Sequence, residues 1–311
     1  MAVRYTIAYH IIIGLESFIG ILANTFIITV NGVDWVRSQQ LTPCDLILIT
    51  LALSRLIWLW AFAFNNIYMG VRENEIEAQV RKIFFVLWNF LDLSSLWYAT
   101  CLCVFYCAKV AEFRSPLFLR LKARIPRMVP QLLLGTQLLS FVFNLPLIFS
   151  DIWLASNSSH DNSTQGNSTD TAIGMGQFVW RVYPYLLPSV VFCSMALLLI
   201  ASLCKHVRRM VRSRGGPQGP RLMAHFSALR FVVFFLFFYL AYIIAIVYYY
   251  IYKTSFASSE EYICMIVIEA YPSLHSIVLI QGNTKLREAY TRVLWKHKKS
   301  VKDRGVPGSQ M

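Results

Sequence analysis

Four ionisable side chains, Glu16, Arg55, Asp92 and Glu269, stand inside stretches that are otherwise almost wholly apolar. An ionisable group in hydrocarbon costs about 2.5–3.5 kcal/mol on insertion scales, so each needs a partner or a task. Glu16, Gly20 and Asn24 are spaced i, i+4, i+8 and share one helix face, where Gly20 permits close helix approach. With Arg55, in Leu51-Ala52-Leu53-Ser54-Arg55, they suggest an interhelical polar clamp of Glu16, Asn24 and Arg55 in preference to ligand contact. Trp88 and Asp92 are again i, i+4. Two readings stay open for them: a helix-pairing carboxylate beside an interfacial indole, or a cavity wall with the indole stacked on a ligand and the carboxylate receiving a cation or a hydrogen bond. Glu269 either meets the same ligand or stays protonated. Pro188 and Pro272 interrupt apolar helices, free backbone carbonyls and allow bends.

Catalytic and metal chemistry find no support. There is no His-Glu-x-x-His, Gly-x-Ser-x-Gly or Walker loop, and the six histidines show no pair at metal-ligand spacing. No metal and no cofactor is expected. Cys101, Cys103 and Cys107 are small apolar fillers.

The elements that must position these groups follow from composition. Of 311 residues, 57% are hydrophobic, 15% aromatic and only 14% charged, against about 25% charged in a soluble domain. Mean hydropathy is +0.52. Seven stretches reach the roughly 20 apolar residues of a spanning helix: 7–31, 41–69, 83–110, 128–154, 182–203, 226–251 and 262–281. The expected fold is therefore an all-α membrane protein, a seven-transmembrane-helix bundle over 7–281. A short segment, 1–6, precedes it and a tail, 284–311, follows. In that tail Leu286, Tyr290, Val293 and Leu294 recur at helical spacing among basic residues, the pattern of an amphipathic helix on anionic lipid.

Charge sets an orientation. Counting Lys109 and Arg230 with the loops they border, 22 of 29 Lys and Arg fall in loops one, three and five and the tail. Six fall on the other side, and Arg55 lies within a span. The positive-inside rule places the N-terminus outside and the C-terminus in the cytoplasm. The loop 155–181 carries three sequons, at Asn157, Asn162 and Asn167, which are usable only on the outer side. A multi-pass plasma-membrane glycoprotein is the expectation, with the first span acting as its own signal and anchor. The net charge of +13 belongs to membrane-flanking residues, so lipid and not nucleic acid is its partner.

The ordered residues also carry a resemblance. Glu16, Gly20 and Ala23-Asn24 are followed by Leu51-Ala52-Leu53-Ser54-Arg55. Next comes the block Leu96-Trp97-Tyr98-Ala99-Thr100-Cys101-Leu102, then Val104-Phe105-Tyr106-Cys107-Ala108-Lys109-Val110-Ala111 and Ser115-Pro116. Tyr271-Pro272-Ser273, His275-Ser276 and Lys285-Leu286-Arg287 close the series. From Glu16 to about Leu294 the chain resembles the type 2 bitter taste receptors, seven-helix G-protein-coupled receptors.

The resemblance implies detection of bitter small molecules in an outward-facing cavity, coupled to a gustducin-type heterotrimeric G protein and calcium release. Trp88 matches the family's agonist-contacting Trp. Asp92 stands where many members have Asn, a departure that favours cationic amines if it is ionised. Asn65, Asn66 and Tyr242 lie on pocket segments, and Met265, ten residues before His275, matches a frequent ligand contact. Tyr106, Lys109, His206 and His275 are the expected switch or coupling positions. A vomeronasal-type pheromone receptor shares the topology but fits the third-span block less well. A transporter would call for internal repeats, and none is found between the halves.

Overall fold

The computed structural model describes residues 2–69, 76–110, 116–158, 168–214, 220–252 and 258–304. They form eight helices: α1 (Ala2–Ser38), α2 (Pro43–Met69), α3 (Ile76–Val110), α4 (Pro116–Ser158), α5 (Ser168–Arg214), α6 (Pro220–Tyr252), α7 (Ser258–Gly282) and α8 (Thr284–Arg304). Seven of them, α1 to α7, are long and apolar enough to cross a membrane. α1, α3, α4, α5 and α6 run past the apolar stretches read from the sequence, whereas α2 stays within its stretch and α7 exceeds it by about a turn, because hydropathy marks the lipid-facing length and not where backbone hydrogen bonding stops.

Their ends are built locally. α1 terminates at Gln39, which adopts a left-handed φ of 53°, donates its N–H to the Trp35 carbonyl at 2.8 Å and sends Nε2 to the Val36 carbonyl at 2.9 Å. α2 starts three residues on: the Thr42 hydroxyl oxygen accepts from the Asp45 N–H at 3.2 Å and its O–H donates to Asp45 Oδ2 at 2.7 Å, with Pro43 at the first helical position. Asn283 caps α8, its Oδ1 accepting from the N–H groups of Lys285 and Leu286 at 3.0 and 3.3 Å.

The packing is a closed ring around α3. α1 lies between α7 and α2, α3 touches α2, α4 and α5, and α6 bridges α5 and α7. Polarity is inverted relative to a water-soluble bundle. Ile11, Leu15, Phe18, Leu22, Val190 and Ile244 are exposed on the outside, whereas Asn24, Arg55, Asp92, Glu269 and His275 are buried within. Hydrocarbon tolerates the first set, and the second must find partners inside. Prolines break α4 (Pro126, Pro130, Pro146), α5 (Pro184, Pro188) and α7 (Pro272). The carbonyls around them are re-used. Pro272 accepts from Ser276 Oγ at 2.8 Å, Pro188 from Thr100 Oγ1 at 3.4 Å, and Tyr185 from Ser189 Oγ at 2.5 Å.

The bundle has two faces. One is where α1 begins, here the amino-terminal face; the other carries α8.

Candidate functional site

Arg55 stands at mid-bundle and is 1% exposed. Its Nε donates to Ser95 Oγ of α3 at 2.9 Å, Nη1 to Ser276 Oγ of α7 at 3.2 Å, and Nη2 to His275 Nδ1 at 2.5 Å. A guanidinium only donates, so Nδ1 of His275 is the acceptor. The guanidinium carbon also lies 5.5 Å from the centroid of the Tyr271 ring. Ser276 passes the contact to α1 by donating to Asn24 Oδ1 at 2.8 Å. Thus Asn24 and Arg55 are brought together through Ser276. Glu16 is not part of that clamp. It meets α7 through its carbonyl, which accepts from Ser273 Oγ at 2.9 Å, while its Oε2 is buried without a partner. The reason is reach: eight residues, about 12 Å of helix, separate Glu16 from Asn24 along α1, and one guanidinium serves one level only. Gly20, between them, faces Ser273 and Leu59 so closely that a Cβ there would force those side chains to shift.

Asp92 lies three residues before Ser95 on the same face of α3, toward the amino-terminal face, and is 3% exposed. Its Oδ2 accepts the Tyr242 hydroxyl of α6 at 2.5 Å and the Tyr185 hydroxyl of α5 at 3.2 Å. One turn outward, Asn89 Oδ1 accepts from Tyr250 at 3.1 Å and, at 3.3 Å, shares the single Tyr185 proton with Asp92 Oδ2. Two acceptors on α3 thereby tie α5 and α6 to it. Trp88 is half-buried, stacked on Phe85 with centroids 6.3 Å apart, and packs against the same aromatic core. Met265 joins that core. Glu269, one turn deeper on α7, is 1% exposed, and neither carboxylate oxygen has a hydrogen-bond partner. Asn65 and Asn66 stand in the last turns of α2, and their side chains lie outside the described residues, as does that of Asn157; Asn162 and Asn167 lie outside them altogether.

The two nodes are joined by rings. Tyr242, held by Asp92, packs against Tyr271 at 4.7 Å; Tyr271 meets His275 at 5.4 Å; and His275 meets Phe235 of α6 edge-on at 4.5 Å. His275 and Phe235 in turn line a cavity of about 140 Å³ between α3, α5, α6 and α7 on the α8 side, together with Tyr106, Phe231 and Asn283. Tyr106 OH contacts Cys44 Sγ of α2 at 3.6 Å. Lys109 is exposed at the end of α3, and His206 is half-buried on α5. Pro188 and Pro272 are both buried at the level of these networks.

At the α8 face, Lys285 Nζ bridges Asp34 Oδ2 of α1 at 2.7 Å and Asp45 Oδ1 of α2 at 3.2 Å. Partial burial pulls the Lys285 ammonium down, and the hydrogen bonds to the two aspartates outweigh it, so its pKa ends above the ordinary lysine value of 10.5. Among the described residues no three His, Cys, Asp or Glu are grouped to hold a metal.

Sequence reasoning missed Ser95, Ser276, Asn89, Tyr185, Tyr250 and Tyr271. The i+3 step from Asp92 to Ser95, and from Asn89 to Asp92, was the available signal for the α3 members. The tyrosines carried no signal that separated them from packing.

Comparison with known proteins agrees with this architecture. The family model for taste receptor protein (TAS2R) matches residues 1–298. Taste receptor type 2 member 7 of Papio hamadryas is 37% identical over 292 residues, covering 90% of each chain. Member 43 of the same species is 30% identical over 97% of each, and member 9 of Homo sapiens is 32% identical over 92% of this chain and 93% of its own. A seven-helix membrane bundle with a whole-length match of this kind is a signalling receptor and not an enzyme, and the chain belongs to the TAS2R family of bitter taste receptors, which are G-protein-coupled receptors.

Proposed function

We propose that the protein binds bitter small molecules in a cavity at the amino-terminal face, which is extracellular, and activates a gustducin-type heterotrimeric G protein at the α8 face, releasing calcium. Trp88, Asp92, Asn65, Asn66, Tyr242, Met265 and Glu269 form or border that cavity. The protein resides in the plasma membrane with its C-terminus in the cytoplasm, and Asn157, Asn162 and Asn167 are its glycosylation acceptors. Tyr106, Lys109 and His206 face the G protein, while Glu16, Asn24, Arg55, Pro188, Pro272 and His275 set the geometry between the two ends.

The observation that carries this reading is the unbroken chain of contacts from Asp92 through Tyr242, Tyr271 and His275 to the wall of the second cavity. A ligand beside Trp88 that draws Tyr242 away from Asp92 alters the packing of Tyr271, and through it the His275 and Phe235 wall. The agonist acts by population shift: it moves the equilibrium by its differential affinity for the two arrangements, about 1.4 kcal/mol for each tenfold.

The test is calcium release in cells expressing the chain with a promiscuous gustatory Gα subunit, against a panel of cationic and neutral bitter compounds. Responses that need the G protein and weaken in Trp88→Ala support the reading. Silence across the panel from surface-labelled protein rejects it.

A further inference from the structure

Glu269 is the least satisfied buried group among the described residues. Among the described residues with buried polar atoms that lack a hydrogen-bond partner, it alone has two such atoms, both carboxylate oxygens. Among the described residues no counter-charge faces it. The buried cation Arg55 is occupied by Ser95, Ser276, His275 and the Tyr271 ring, and the charged groups facing Glu269 from neighbouring helices are the acids Glu16 of α1 and Asp92 of α3. A polar group left bare in this way in a membrane interior marks a place for something the fold does not itself supply.

Resting on the receptor reading above, we propose that Glu269 is the acceptor for the protonated amine of a cationic agonist, and that Asp92 is a positioning acid for the tyrosines. The class is a primary, secondary or tertiary ammonium, because two bare carboxylate oxygens call for N–H donors. Asp92 is the poorer acceptor: Oδ2 already takes two phenol hydroxyls, and an incoming ammonium there competes with the Tyr242 contact at 2.5 Å. An anionic ligand would meet three acids. A multivalent metal lacks its ligand set among the described residues. The half-buried ring of Trp88 and the side chain of Met265, one turn above Glu269 on α7, offer the agonist's apolar body a surface. The agonist class is thus an aromatic or apolar body with an amine that extends one helical turn deeper than Met265.

The experiment compares Glu269→Gln, Glu269→Asp and Asp92→Asn in the calcium assay, each normalised to surface labelling. Its probes are the tertiary amines that activate the wild type, their N-methyl quaternary salts, and the neutral agonists. Expected are an EC50 rise of tenfold or more for tertiary amines in Glu269→Gln and a smaller rise in Glu269→Asp, which retracts the charge by one methylene. Neutral agonists should stay within twofold in both, and quaternary salts, which keep the charge but lack N–H, should be weaker than their parents on the wild type and lose less than their parents in Glu269→Gln. The proposal is overturned if Asp92→Asn carries the amine shift while Glu269→Gln does not, if Glu269→Gln shifts neutral agonists equally, or if a wild type that answers neutral compounds ignores amines. A wild type that answers nothing rejects the receptor reading instead, so the two failures are distinguishable.

Discussion

Arg55 and Glu269 are both 1% exposed, on helices that meet within one bundle, and carry opposite charge. They differ in everything that surrounds them. Arg55 spends its donors on three neutral groups from two helices and rests on an aromatic ring, so its charge is spread over the packing. Glu269 has no hydrogen bond. Burial alone therefore does not separate architecture from function. A buried charge with a full set of partners holds helices together; one with none has no such part in the packing, and it is to that group that we assign the ligand. Asp92 lies between these extremes, partnered through two hydroxyls that can let go.

The sharpest way to break the contrast is Arg55→Met. It strips partners from Ser95, Ser276 and His275 at once, and hydrogen bonds to charged groups are worth about 1.5–3 kcal/mol each. Most of the protein should fail to reach the surface, and detergent-solubilised material should lose well over 5 °C in Tm. Glu269→Gln, by contrast, should leave Tm within about 2 °C, since it removes no partner. Equal losses in the two variants would erase the distinction.

Gly20→Ala comes next. The added methyl collides with Ser273 and Leu59, and overpacking of this kind costs about 1–3 kcal/mol; Tm in detergent should fall, and Gly14→Ala, with nothing near its Cβ position, should not match it. Tyr242→Phe removes the shorter hydroxyl from Asp92 while keeping the ring on Tyr271. Losing this charge-assisted bond, about 1.5 kcal/mol or more, should raise basal calcium signalling if that bond holds the resting arrangement, and Tyr185→Phe should raise it less.

The smallest effect is expected at the α8 face. Lys285→Ala removes two partly exposed ion pairs, worth at most about 1 kcal/mol together with screening by salt. Because the Lys285 pKa is raised on folding, its contribution is complete below the ordinary lysine value of 10.5 and disappears only as pH climbs through the higher folded value. Wild type and Lys285→Ala should hence differ by a constant amount in Tm from pH 6 to 9 and converge above that range.

Much of this was legible in the chain. Run lengths of apolar residues are a direct readout of bilayer thickness, so the bundle followed from counting. The i, i+4 spacing of Trp88 and Asp92 put both on one face of α3, and the lone Arg55 announced a need for partners. Which partners was not legible, because periodicity reports faces within one helix and is silent on which helix lies opposite. Ser276 looks like any small residue in a span, and Tyr185 and Tyr250 look like packing until the Asp92 and Asn89 oxygens are seen beside them. Glu16 shows the opposite: sharing a helix face with Asn24 does not put it at the level where Asn24 meets Ser276 and Arg55.

Gly20 leaves so little space that α1 and α7 touch almost backbone to side chain, with the Ser273 hydroxyl seated on the Glu16 carbonyl. Two rods joined that closely cannot slide or roll independently, and at the other face Lys285 of α8 fastens α1, through Asp34, to Asp45 of α2. Any bend at Pro272 must then drag α1 along. Across from that joint α6 meets α7 through two ring pairs, Tyr242 on Tyr271 and Phe235 edge-on to His275, so a displacement of α7 reaches α6 through aromatic faces and edges.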